Sequence, residues 1–266
     1  MIDLHTHILP GIDDGVKTED DAVEFARTAI ADGTRILVAT PHCRDGFYVN
    51  EREGVLAAVR ALRGRLRREN LDLDLRPGAE VHICPDLVER VGDGRAPTLD
   101  DNGKTILFEL SMSQYPVDLE NLVFQLKLAG LEVLFAHPER IRYFQDDGKR
   151  YEAVIRLGAY GQITTGSVLG RFGSAVSDFS EELLRKGLVH VLASDAHNVR
   201  GRAPKLSEAL ATIVPLVGET RGRSMVQEVP AALLAGREPE IPAIESPTAR
   251  SRSFFGRLFG KGRSEQ

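Results

Sequence analysis

Histidine and acidic residues crowd the beginning of this 266-residue chain. The opening stretch, MIDLHTHILPGIDDG, contains the pair His5 and His7 together with Asp3, Asp13 and Asp14. Imidazole and carboxylate groups in one place suit a divalent ion such as manganese, zinc or iron. Because alternate residues of a strand share a face, His5 and His7 can act together. A single pair of this kind is as often structural as metal-binding, so further ligands must come from the rest of the chain.

The other histidines and acids fall where apolar runs end. Short stretches rich in Val, Ile and Leu predict buried strands, and most of these finish in a side chain that can bind a cation. The candidate metal ligands are His5, His7, Asp14, His42, Glu80, Glu109, His137, Asp195 and His197. Polar groups at the end of an apolar strand avoid the cost of burial only when a partner satisfies them. Nine such residues in register therefore predict a divalent metal centre.

Four polar residues near these positions are interpreted as structural or supporting. His82 lies beyond the end of the Glu80 strand and His190 lies inside a strand, so both are predicted to pack or to form hydrogen bonds. Asp3 and Asp13 are predicted to support the ligands of the opening stretch without joining them.

The candidate ligands need a scaffold that brings distant strand ends together. Seven apolar runs predict strands, namely MIDLHTH, RILVATPH, LDLRPGAE, KTILFEL, EVLFAHP, AYGQIT and LVHVLASDAH. Helical stretches separate most of them, one capped by Thr18 and the others near 50–69, 118–129, 148–157, 175–186 and 204–214. Near-continuous apolar strands covered by helices indicate a mainly parallel α/β sheet. About seven β/α units favour a closed barrel, in which the strand ends form the active-site face.

Composition limits the classes of protein that fit this chain. The formal net charge of −5 argues against a nucleic-acid binder with a strongly basic surface. Two cysteines, Cys43 and Cys84, cannot build a disulfide framework, which favours a reducing cytosol. No signal peptide is visible, and no apolar run approaches the ~20 residues of a membrane span. We therefore expect a cytoplasmic location.

The composition changes near the C-terminus. Residues 1–236 are predicted to form one barrel domain, and 237–266 a linker rich in proline and serine followed by a tail. Within the tail, 254–263 interleaves phenylalanine and leucine with arginine and lysine. Such a basic, aromatic segment is compatible with peripheral contact with an anionic membrane surface or a partner groove, but its three glycines favour a frayed tail.

The charge of the ligand set indicates how many ions it can hold. Nine ligands are too many for one divalent ion and more than two ions need, at about four to six ligands each. Three divalent ions would carry +6, whereas the four carboxylates of the set contribute −4. The remaining +2 suits a phosphate dianion that bridges the metals.

The motifs together resemble a known group of phosphoesterases. The HxH start, the TPH and PGAE strand ends, HPER and ASDAH are similar to the polymerase-and-histidinol-phosphatase (PHP) superfamily. More narrowly, DLHTHILPGIDDG, ATPH, PGAEVHI, AHPERI and LASDAHN resemble the manganese-dependent bacterial protein-tyrosine phosphatases of capsule and exopolysaccharide operons. The resemblance covers about residues 1–235, and HILPGIDDG is its most distinctive part.

The resemblance implies a distorted (β/α)7 barrel, a TIM-like PHP fold, that holds three divalent metal ions. Manganese is the ion implied, with iron, zinc or cobalt as alternatives. By motif, the first ion would bind His5, His7, Glu80 and Asp195, the second Glu80, Glu109 and His137, and the third Asp14, His42 and His197. Arg140 in HPER and Arg202 in HNVRGR would be the catalytic arginines that bind phosphate, with rim salt bridges as their alternative role.

The implied activity is hydrolysis of phosphotyrosine on a protein. Adjacent divalent ions lower the pKa of a shared water, so that hydroxide attacks phosphorus in line. A phenol leaving group, with a pKa of about 10, needs less protonation than an alcohol, which makes aryl phosphates accessible. The implied partner is the phosphorylated tail of a membrane-bound bacterial tyrosine kinase that controls capsular or exopolysaccharide synthesis. No nucleic acid is expected.

Other functions stay open as alternatives. CPDLVER places Cys84 and Arg90 in the C-x5-R spacing of cysteine phosphatases, but the residues between them are bulky and acidic where that chemistry needs a nest of backbone amides. A histidinol-phosphate phosphatase, a nuclease of the same superfamily and a non-catalytic kinase-docking subunit are the remaining candidates. An amidohydrolase usually adds a metal-bridging lysine at a strand end, and the predicted strands supply none.

Overall fold

Nine strands and eleven α-helices alternate along residues 1–84 and 86–244, the part of the chain that the computed structural model describes. The strands are β1 (Ile2–Thr6), β2 (Ile36–Ala39), β3 (His42–Cys43), β4 (Asp74–Pro77), β5 (Glu80–His82), β6 (Thr105–Glu109), β7 (Glu132–Ala136), β8 (Tyr160–Thr164) and β9 (Val191–Ala193). The helices are α1 (Glu19–Ala31), α2 (Arg52–Arg68), α3 (Leu87–Gly92), α4 (Leu119–Leu128), α5 (Arg142–Asp146), α6 (Gly148–Arg156), α7 (Thr165–Val168), α8 (Ser174–Arg185), α9 (Ser207–Val217), α10 (Glu219–Ser224) and α11 (Glu228–Leu234). Strands followed by helices through most of the chain are the pattern of an α/β barrel.

The named strands pair in parallel and close a barrel with seven strand positions. β1, β2 and β4 form one ladder, and β3, β5, β6, β7, β8 and β9 form a second. β2 and β3 are successive halves of one barrel strand, as are β4 and β5, so nine segments fill seven positions. The barrel closes between β1 and β9, where Asp195 N donates to His5 O (2.9 Å) and His7 N donates to Ala196 O (2.9 Å). The predicted distorted (β/α)7 barrel is confirmed.

Two of the barrel strands are interrupted just before they reach the candidate ligands. Pro41 separates β2 from β3 and has no N–H to donate to the ladder. Gly78 separates β4 from β5 at a point where a Cβ atom would come within 2.9 Å of Val38 Cγ1. The prediction that His42 and Glu80 end their strands is wrong, because they begin β3 and β5. Pro41 and the pair Pro77 and Gly78 are strand-breaking signals in the sequence, and the prediction of one continuous strand at each place overlooks them.

The longer helices begin and end close to their predicted bounds. Thr18 caps α1 as predicted, since its Oγ1 accepts a hydrogen bond from Asp21 N (3.1 Å) and Asp21 Oδ2 accepts one from Thr18 N (3.2 Å). The other five predicted helical stretches correspond to α2, α4, α6, α8 and α9. The short helices α3, α5, α7, α10 and α11 are absent from the prediction, because four to seven residues carry too little helical periodicity to stand out.

The barrel interior and the helix layer form separate apolar cores. Inside the barrel, side chains from five strand positions pack together, namely Leu4, Val38, Leu107, Leu134 and Val191. A larger cluster lies between the sheet and the surrounding helices. Because both faces of the strands are covered, polar side chains can gather mainly at the strand ends.

The segment after α11 packs against the barrel as far as the structure describes it. Ile241 contacts the barrel-interior cluster, and the buried Arg221 guanidinium donates to Pro242 O (2.6 Å). The division into a barrel domain and a linker with tail at 237–266 stays a prediction, and the basic, aromatic stretch 254–263 lies outside the described residues. None of the helices in the described part of the chain is long and apolar enough to cross a membrane.

Candidate metal centre

The structure brings all nine predicted ligands together at one rim of the barrel. They come from the ends of β1 and β6, from β3 and β5, and from the loops after β1, β7 and β9. Seven of them are buried, whereas the side chains of His42 and Asp14 are 16 % and 48 % exposed. The carboxyl ends of parallel barrel strands converge on one rim, which explains why residues so far apart in the sequence meet there.

Glu80 lies at the centre of the cluster. Its Oε2 atom lies 3.2 Å from His5 Nε2, 3.5 Å from His7 Nε2 and 2.9 Å from His42 Nδ1. Its Oε1 atom lies 2.7 Å from His137 Nε2. One carboxylate therefore contacts four imidazoles, an arrangement in which it can bridge two cations.

Asp195 connects the histidines to the two predicted arginines. Its Oδ1 atom lies 3.4 Å from His5 Nε2 and 3.5 Å from His7 Nε2. Its Oδ2 atom accepts hydrogen bonds from Arg140 Nη1 (2.7 Å) and Arg202 Nη2 (2.5 Å). The backbone of Asp195 has φ +50°, a left-handed conformation that is uncommon outside glycine and that clusters at functional sites. Arg140 and Arg202 are therefore held side by side at the edge of the donor cluster.

Asp14 contacts the remaining histidines on the exposed side of the cluster. Its Oδ1 atom lies 3.3 Å from His197 Nε2 and 3.4 Å from His42 Nε2. Hydrogen bonds from His197 and His42 hold the pKa of Asp14 well below its usual value. The ring of His197 also packs on the ring of His7, with centroids 3.8 Å apart, so this side is continuous with the rest of the cluster.

Three overlapping sets of donor atoms are compact enough to hold an ion. The sets are His5, His7 and Glu80; His42, Glu80 and Glu109; and His7, Asp14, His42 and His197, with the donor atoms of each set within 4.8 Å of one another. In the second set His42 takes the place predicted for His137. In the third set His7 joins the predicted residues. The division of individual ligands among ions stays a prediction.

Buried atoms without hydrogen-bond partners show that these residues fit cations. Glu80 Oε2 and Glu109 Oε2 are buried and receive no well-oriented hydrogen bond from any described residue. His5 Nε2 and His7 Nε2 face each other at 3.2 Å in the same interior. A buried acceptor without a donor costs roughly 1–3 kcal/mol, a cost that a bound cation removes. The mixture of imidazole nitrogen and carboxylate oxygen is the donor chemistry of manganese, iron and zinc.

The acids of the cluster differ in how strongly they hold their protons. Burial and the negative charge of Glu80 raise the pKa of Glu109 to about 7. Burial alone would also raise the pKa of Glu80, but the charge of His5 and a hydrogen bond from His137 hold that pKa well below its usual value. Buried carboxylates this close together require compensating positive charge.

Two hydrogen bonds orient the histidine pair of β1. His7 Nδ1 lies 2.7 Å from Asp13 Oδ2, and His5 Nδ1 lies 2.8 Å from Gln162 Oε1. Donation from each Nδ1–H leaves the Nε2 lone pair directed at the cluster, which is how supporting residues fix a metal-binding tautomer. Asp3 Oδ1 accepts a backbone hydrogen bond (3.0 Å) close to the pair. The supporting roles predicted for Asp3 and Asp13 agree with these contacts.

Sequence reasoning missed three polar residues that hold the site in place. Gln162 lies within the apolar strand β8, where an amide needs a partner, and this signal was available in the sequence. Asn50 Nδ2 donates to His42 O (2.8 Å), although nothing in the sequence distinguishes it from an ordinary loop asparagine. Glu139, the acid of HPER, is buried and accepts a hydrogen bond from Thr164 N (3.0 Å).

The other two histidines form hydrogen bonds outside the three donor sets, as predicted. His82 Nδ1 donates to Ile83 O (3.0 Å). His190 Nδ1 accepts a hydrogen bond from Gly161 N (3.1 Å). The predicted positions of both are wrong: His82 is the last residue of β5 and does not lie beyond it, and His190 precedes β9, which begins at Val191.

The C-x5-R stretch does not form a phosphate-binding cysteine site. Burial raises the pKa of the Cys84 thiol to about 11, so the thiolate that such chemistry needs is disfavoured. The Arg90 guanidinium is occupied by Asp86 (2.8 Å) and Asp45 (2.7 Å). The match to the cysteine phosphatase pattern is therefore a coincidence of spacing.

The barrel and its donor cluster define the class of the protein. A closed parallel (β/α)7 barrel with histidines and carboxylates gathered at the carboxyl-terminal rim is the architecture of the metal-dependent barrel hydrolases. The chain belongs to the CpsB/CapC family of capsular polysaccharide synthesis, whose model matches residues 1–235. The resemblance to the tyrosine phosphatases of capsule operons is thereby confirmed.

Individual members of this group are similar over most of their length. The tyrosine-protein phosphatase YwqE of Bacillus subtilis (strain 168) is 39 % identical over 210 residues, which cover 79 % of this chain and 82 % of the relative. The putative tyrosine-protein phosphatase CapC of Staphylococcus aureus is 30 % identical over 202 residues, which cover 76 % and 79 %. A crystal structure from work on YwqE of Bacillus subtilis and CpsB of Streptococcus pneumoniae, described as unique metal-dependent tyrosine phosphatases, superposes with a TM-score of 0.86. That match has 35 % identity and covers 92 % of this chain and 100 % of the other.

Proposed function

We propose that this chain is a metal-dependent phosphatase that hydrolyses phosphotyrosine on a protein. The observation that carries the proposal is the meeting of Arg140 and Arg202 on Asp195, at the edge of a cluster of metal-type donors. Two guanidinium groups beside divalent ions are suited to a phosphate dianion. Relatives named as tyrosine-protein phosphatases support phosphotyrosine as the phosphate ester.

We assign the ions to the residues as the motifs imply. The first ion would be held by His5, His7, Glu80 and Asp195, the second by Glu80, Glu109 and His137, and the third by Asp14, His42 and His197, with manganese as the proposed metal. When bound, such ions polarise phosphoryl oxygens and lower the pKa of a water towards neutrality. The unpartnered oxygens of Glu80 and Glu109 and the inward-facing nitrogens of His5 and His7 support the binding of cations by this cluster.

The side chains at the edge of the cluster bind and orient the phosphate. The Arg140 and Arg202 side chains are 21 % and 30 % exposed, so they are within reach of a substrate that approaches from solvent. Each guanidinium can donate two parallel hydrogen bonds to non-bridging oxygens. Asp195 keeps both groups at the edge of the donor cluster through its Oδ2 atom. A tyrosine leaving group, with a pKa of about 10, departs with little help from a proton donor.

The substrate that we propose is the phosphorylated tail of a membrane-bound bacterial tyrosine kinase that controls capsular or exopolysaccharide synthesis. The description of the family as one of capsular polysaccharide synthesis supports this setting. The free thiols Cys43 and Cys84 fit the reducing cytoplasm, where we place the reaction. Residues 1–236 would be the catalytic domain, and 237–266 a linker and tail that act near the membrane.

The experiment is phosphate release from a phosphotyrosine peptide by the purified full chain, with a chelator and then with added Mn²⁺. We expect chelation to abolish turnover, Mn²⁺ to restore it and Cys84→Ser to retain it. His42→Ala should lower turnover by about 100-fold or more, because it removes a donor from two of the three sets. Unchanged turnover in His42→Ala would contradict the three-ion arrangement.

Parallel assays separate the alternatives. Preference for histidinol phosphate or for a DNA 3′ end over the phosphotyrosine peptide would overturn the proposed substrate. Failure of the Mn²⁺-loaded protein to hydrolyse any of the three would favour a non-catalytic docking subunit.

A further inference from the structure

A cavity of about 470 Å³ opens directly beside the donor cluster. Its walls include Arg44, Phe47, Tyr48 and Val49 on one side and Arg90 of α3 on the other. The Tyr48 ring stacks on the imidazole of His42, with centroids 5.5 Å apart and planes inclined by 17°. Tyr48 therefore belongs both to the wall of the cavity and to the surroundings of a predicted metal ligand, so a polypeptide bound at the metal centre could extend past Tyr48 into the cavity.

The wall formed by residues 44–48 is a tight hairpin. Arg44 N donates to Tyr48 O (2.9 Å) and Tyr48 N donates to Arg44 O (3.0 Å), with Gly46 at φ +77° in the turn. Asn50 ties the segment that follows to the metal centre by donating to His42 O (2.8 Å). A wall fixed in this way loses little conformational freedom when a ligand binds, which favours binding.

The hairpin presents apolar and cationic surface that the described chain does not cover. Phe47 and Val49 are 71 % and 73 % exposed, although both are large apolar side chains. The Arg44 guanidinium lies over the Phe47 ring, 4.6 Å from its centroid, and no carboxylate of the described residues lies within 4.0 Å of it. Arg90, by contrast, is paired with Asp45 and Asp86. Arg44 is therefore the cation in this wall that is available for an acidic partner.

We infer that the 44–48 hairpin and Val49 bind the polypeptide next to the phosphotyrosine. Phe47 and Val49 contact an apolar side chain of the substrate, and Arg44 pairs with an acidic one. The inference rests on the proposed function and specifies its substrate: an extended acidic peptide is favoured over an isolated aryl phosphate. The stacking of Tyr48 on His42 and the lack of an ion-pair partner for Arg44 within 4.0 Å among the described residues are the observations that select this occupant.

The first test compares two substrates on the Mn²⁺-loaded full chain. One is p-nitrophenyl phosphate, which carries no polypeptide, and the other is a phosphotyrosine peptide with leucine and glutamate beside the phosphotyrosine. The readout is the ratio of kcat/KM for the peptide to kcat/KM for p-nitrophenyl phosphate. We expect Phe47→Ser to lower this ratio about tenfold. The matched control is Phe124→Ser on α4, where the phenylalanine is 52 % exposed, and it should leave the ratio unchanged.

The outcomes distinguish the inference from the proposed function. A wild-type protein that hydrolyses neither substrate would overturn the proposed function and the inference with it. Hydrolysis of both substrates with the same ratio in wild type and Phe47→Ser would overturn the inference alone. Because Phe47 is largely exposed, its replacement should leave the thermal unfolding midpoint near that of the wild type, which a melting curve checks.

The second test examines the acidic part of the inference by changing both partners. Replacing the peptide glutamates by glutamine should lower kcat/KM of the wild type about threefold, the size expected of an exposed ion pair. The same peptide change should have no effect on Arg44→Gln. If the change from glutamate to glutamine lowers kcat/KM equally in the wild type and in Arg44→Gln, Arg44 does not pair with the acidic residue, and that assignment is overturned.

Discussion

Arg140 and Arg202 donate hydrogen bonds to the same atom, Oδ2 of Asp195. Arg140 belongs to the turn after β7 and Arg202 to the loop after β9, so the carboxylate joins two loops that are distant in sequence. Arg140 also lies over the ring of Phe172, 4.7 Å from its centroid. The two guanidinium groups are thus prevented from turning away from the donor cluster, and a phosphate can meet both together.

Lysine at either arginine position should weaken phosphate binding although it keeps the charge. Lysine cannot form two parallel hydrogen bonds, so we expect Arg202→Lys and Arg140→Lys each to lower kcat/KM for a phosphotyrosine peptide by about tenfold or more. Steady-state kinetics would measure this, with Arg185→Lys on the exposed face of α8 as the matched control. Kinetics in Arg202→Lys equal to those of the control would contradict a role for Arg202 in phosphate binding.

Metal binding should stabilise the folded chain. Ions that bind the folded but not the unfolded state add RT ln(1 + [L]/Kd), about 2.7 kcal/mol at one hundred times the dissociation constant. We therefore expect chelation to lower the thermal unfolding midpoint by about 5–10 °C, and added Mn²⁺ to restore it. Calorimetry or dye-based melting checks this without any measurement of activity.

The matched variants for that experiment are Glu80→Gln and Glu89→Gln. Glu80 is buried and contacts four histidines, whereas Glu89 lies on α3 with its side chain 74 % exposed. The Mn²⁺-dependent shift should shrink in Glu80→Gln and persist in Glu89→Gln. If neither the chelator nor Mn²⁺ changes the melting midpoint of the wild type, the conclusion that the cluster binds cations is contradicted.

Gln162 should control metal affinity through His5. Its Oε1 atom accepts the Nδ1–H of His5, so Gln162→Leu leaves the ring free to turn or to change tautomer. We expect Mn²⁺ affinity, measured by calorimetric titration, to fall about 10- to 100-fold. Gln125→Leu, on the exposed side of α4, is the control and should bind Mn²⁺ like the wild type. Wild-type affinity in Gln162→Leu would mean that β1 alone fixes the ring of His5.

The sequence was sufficient to predict the scaffold and the residue types at its rim. Histidines and acids stand out at the ends of apolar runs because burial without a partner is costly there. Asp195 and His197, for example, follow a short apolar strand, and nothing in the local sequence pattern requires polar side chains at these two positions. The seven strand positions could be counted because each carries a short stretch rich in apolar residues, and helical stretches separate most of them.

Finer features of the site depend on contacts that no local pattern encodes. Proline signals the interruption at Pro41, but the resumption of pairing at His42 depends on the neighbouring strand β5, so His42 was expected to end a strand that it begins. The left-handed backbone of His137, with φ +36°, has no signature in a histidine. Asn50 acts through a hydrogen bond to His42 O, and only the tertiary structure brings the two together.

His190 lies before β9, at the end of the barrel away from the donor cluster, and serves there as a neutral acceptor. Its Nδ1 accepts the N–H of Gly161 (3.1 Å), and its ring meets Tyr160 edge-on with centroids 5.5 Å apart. Burial and the positive charge of Arg221 lower the pKa of His190 to about 4. Protonation would remove the acceptor and bury a charge beside an arginine, which links folding to pH at this position.

Replacing His190 by asparagine should therefore weaken the dependence of stability on pH. In the unfolded chain the histidine takes up a proton below about pH 6.5, whereas in the folded chain its pKa of about 4 keeps it neutral. The unfolded state then binds more protons in this window, so its free energy falls and stability decreases as pH falls. Between pH 7 and pH 5 this amounts to about 2 kcal/mol, which His190→Asn should recover because the amide oxygen can still accept from Gly161 N. Urea unfolding of the wild type and His190→Asn, each in the presence of a chelator, measures this difference in the free energy of unfolding. If that free energy changes with pH in the same way in both proteins, the role assigned to His190 is contradicted.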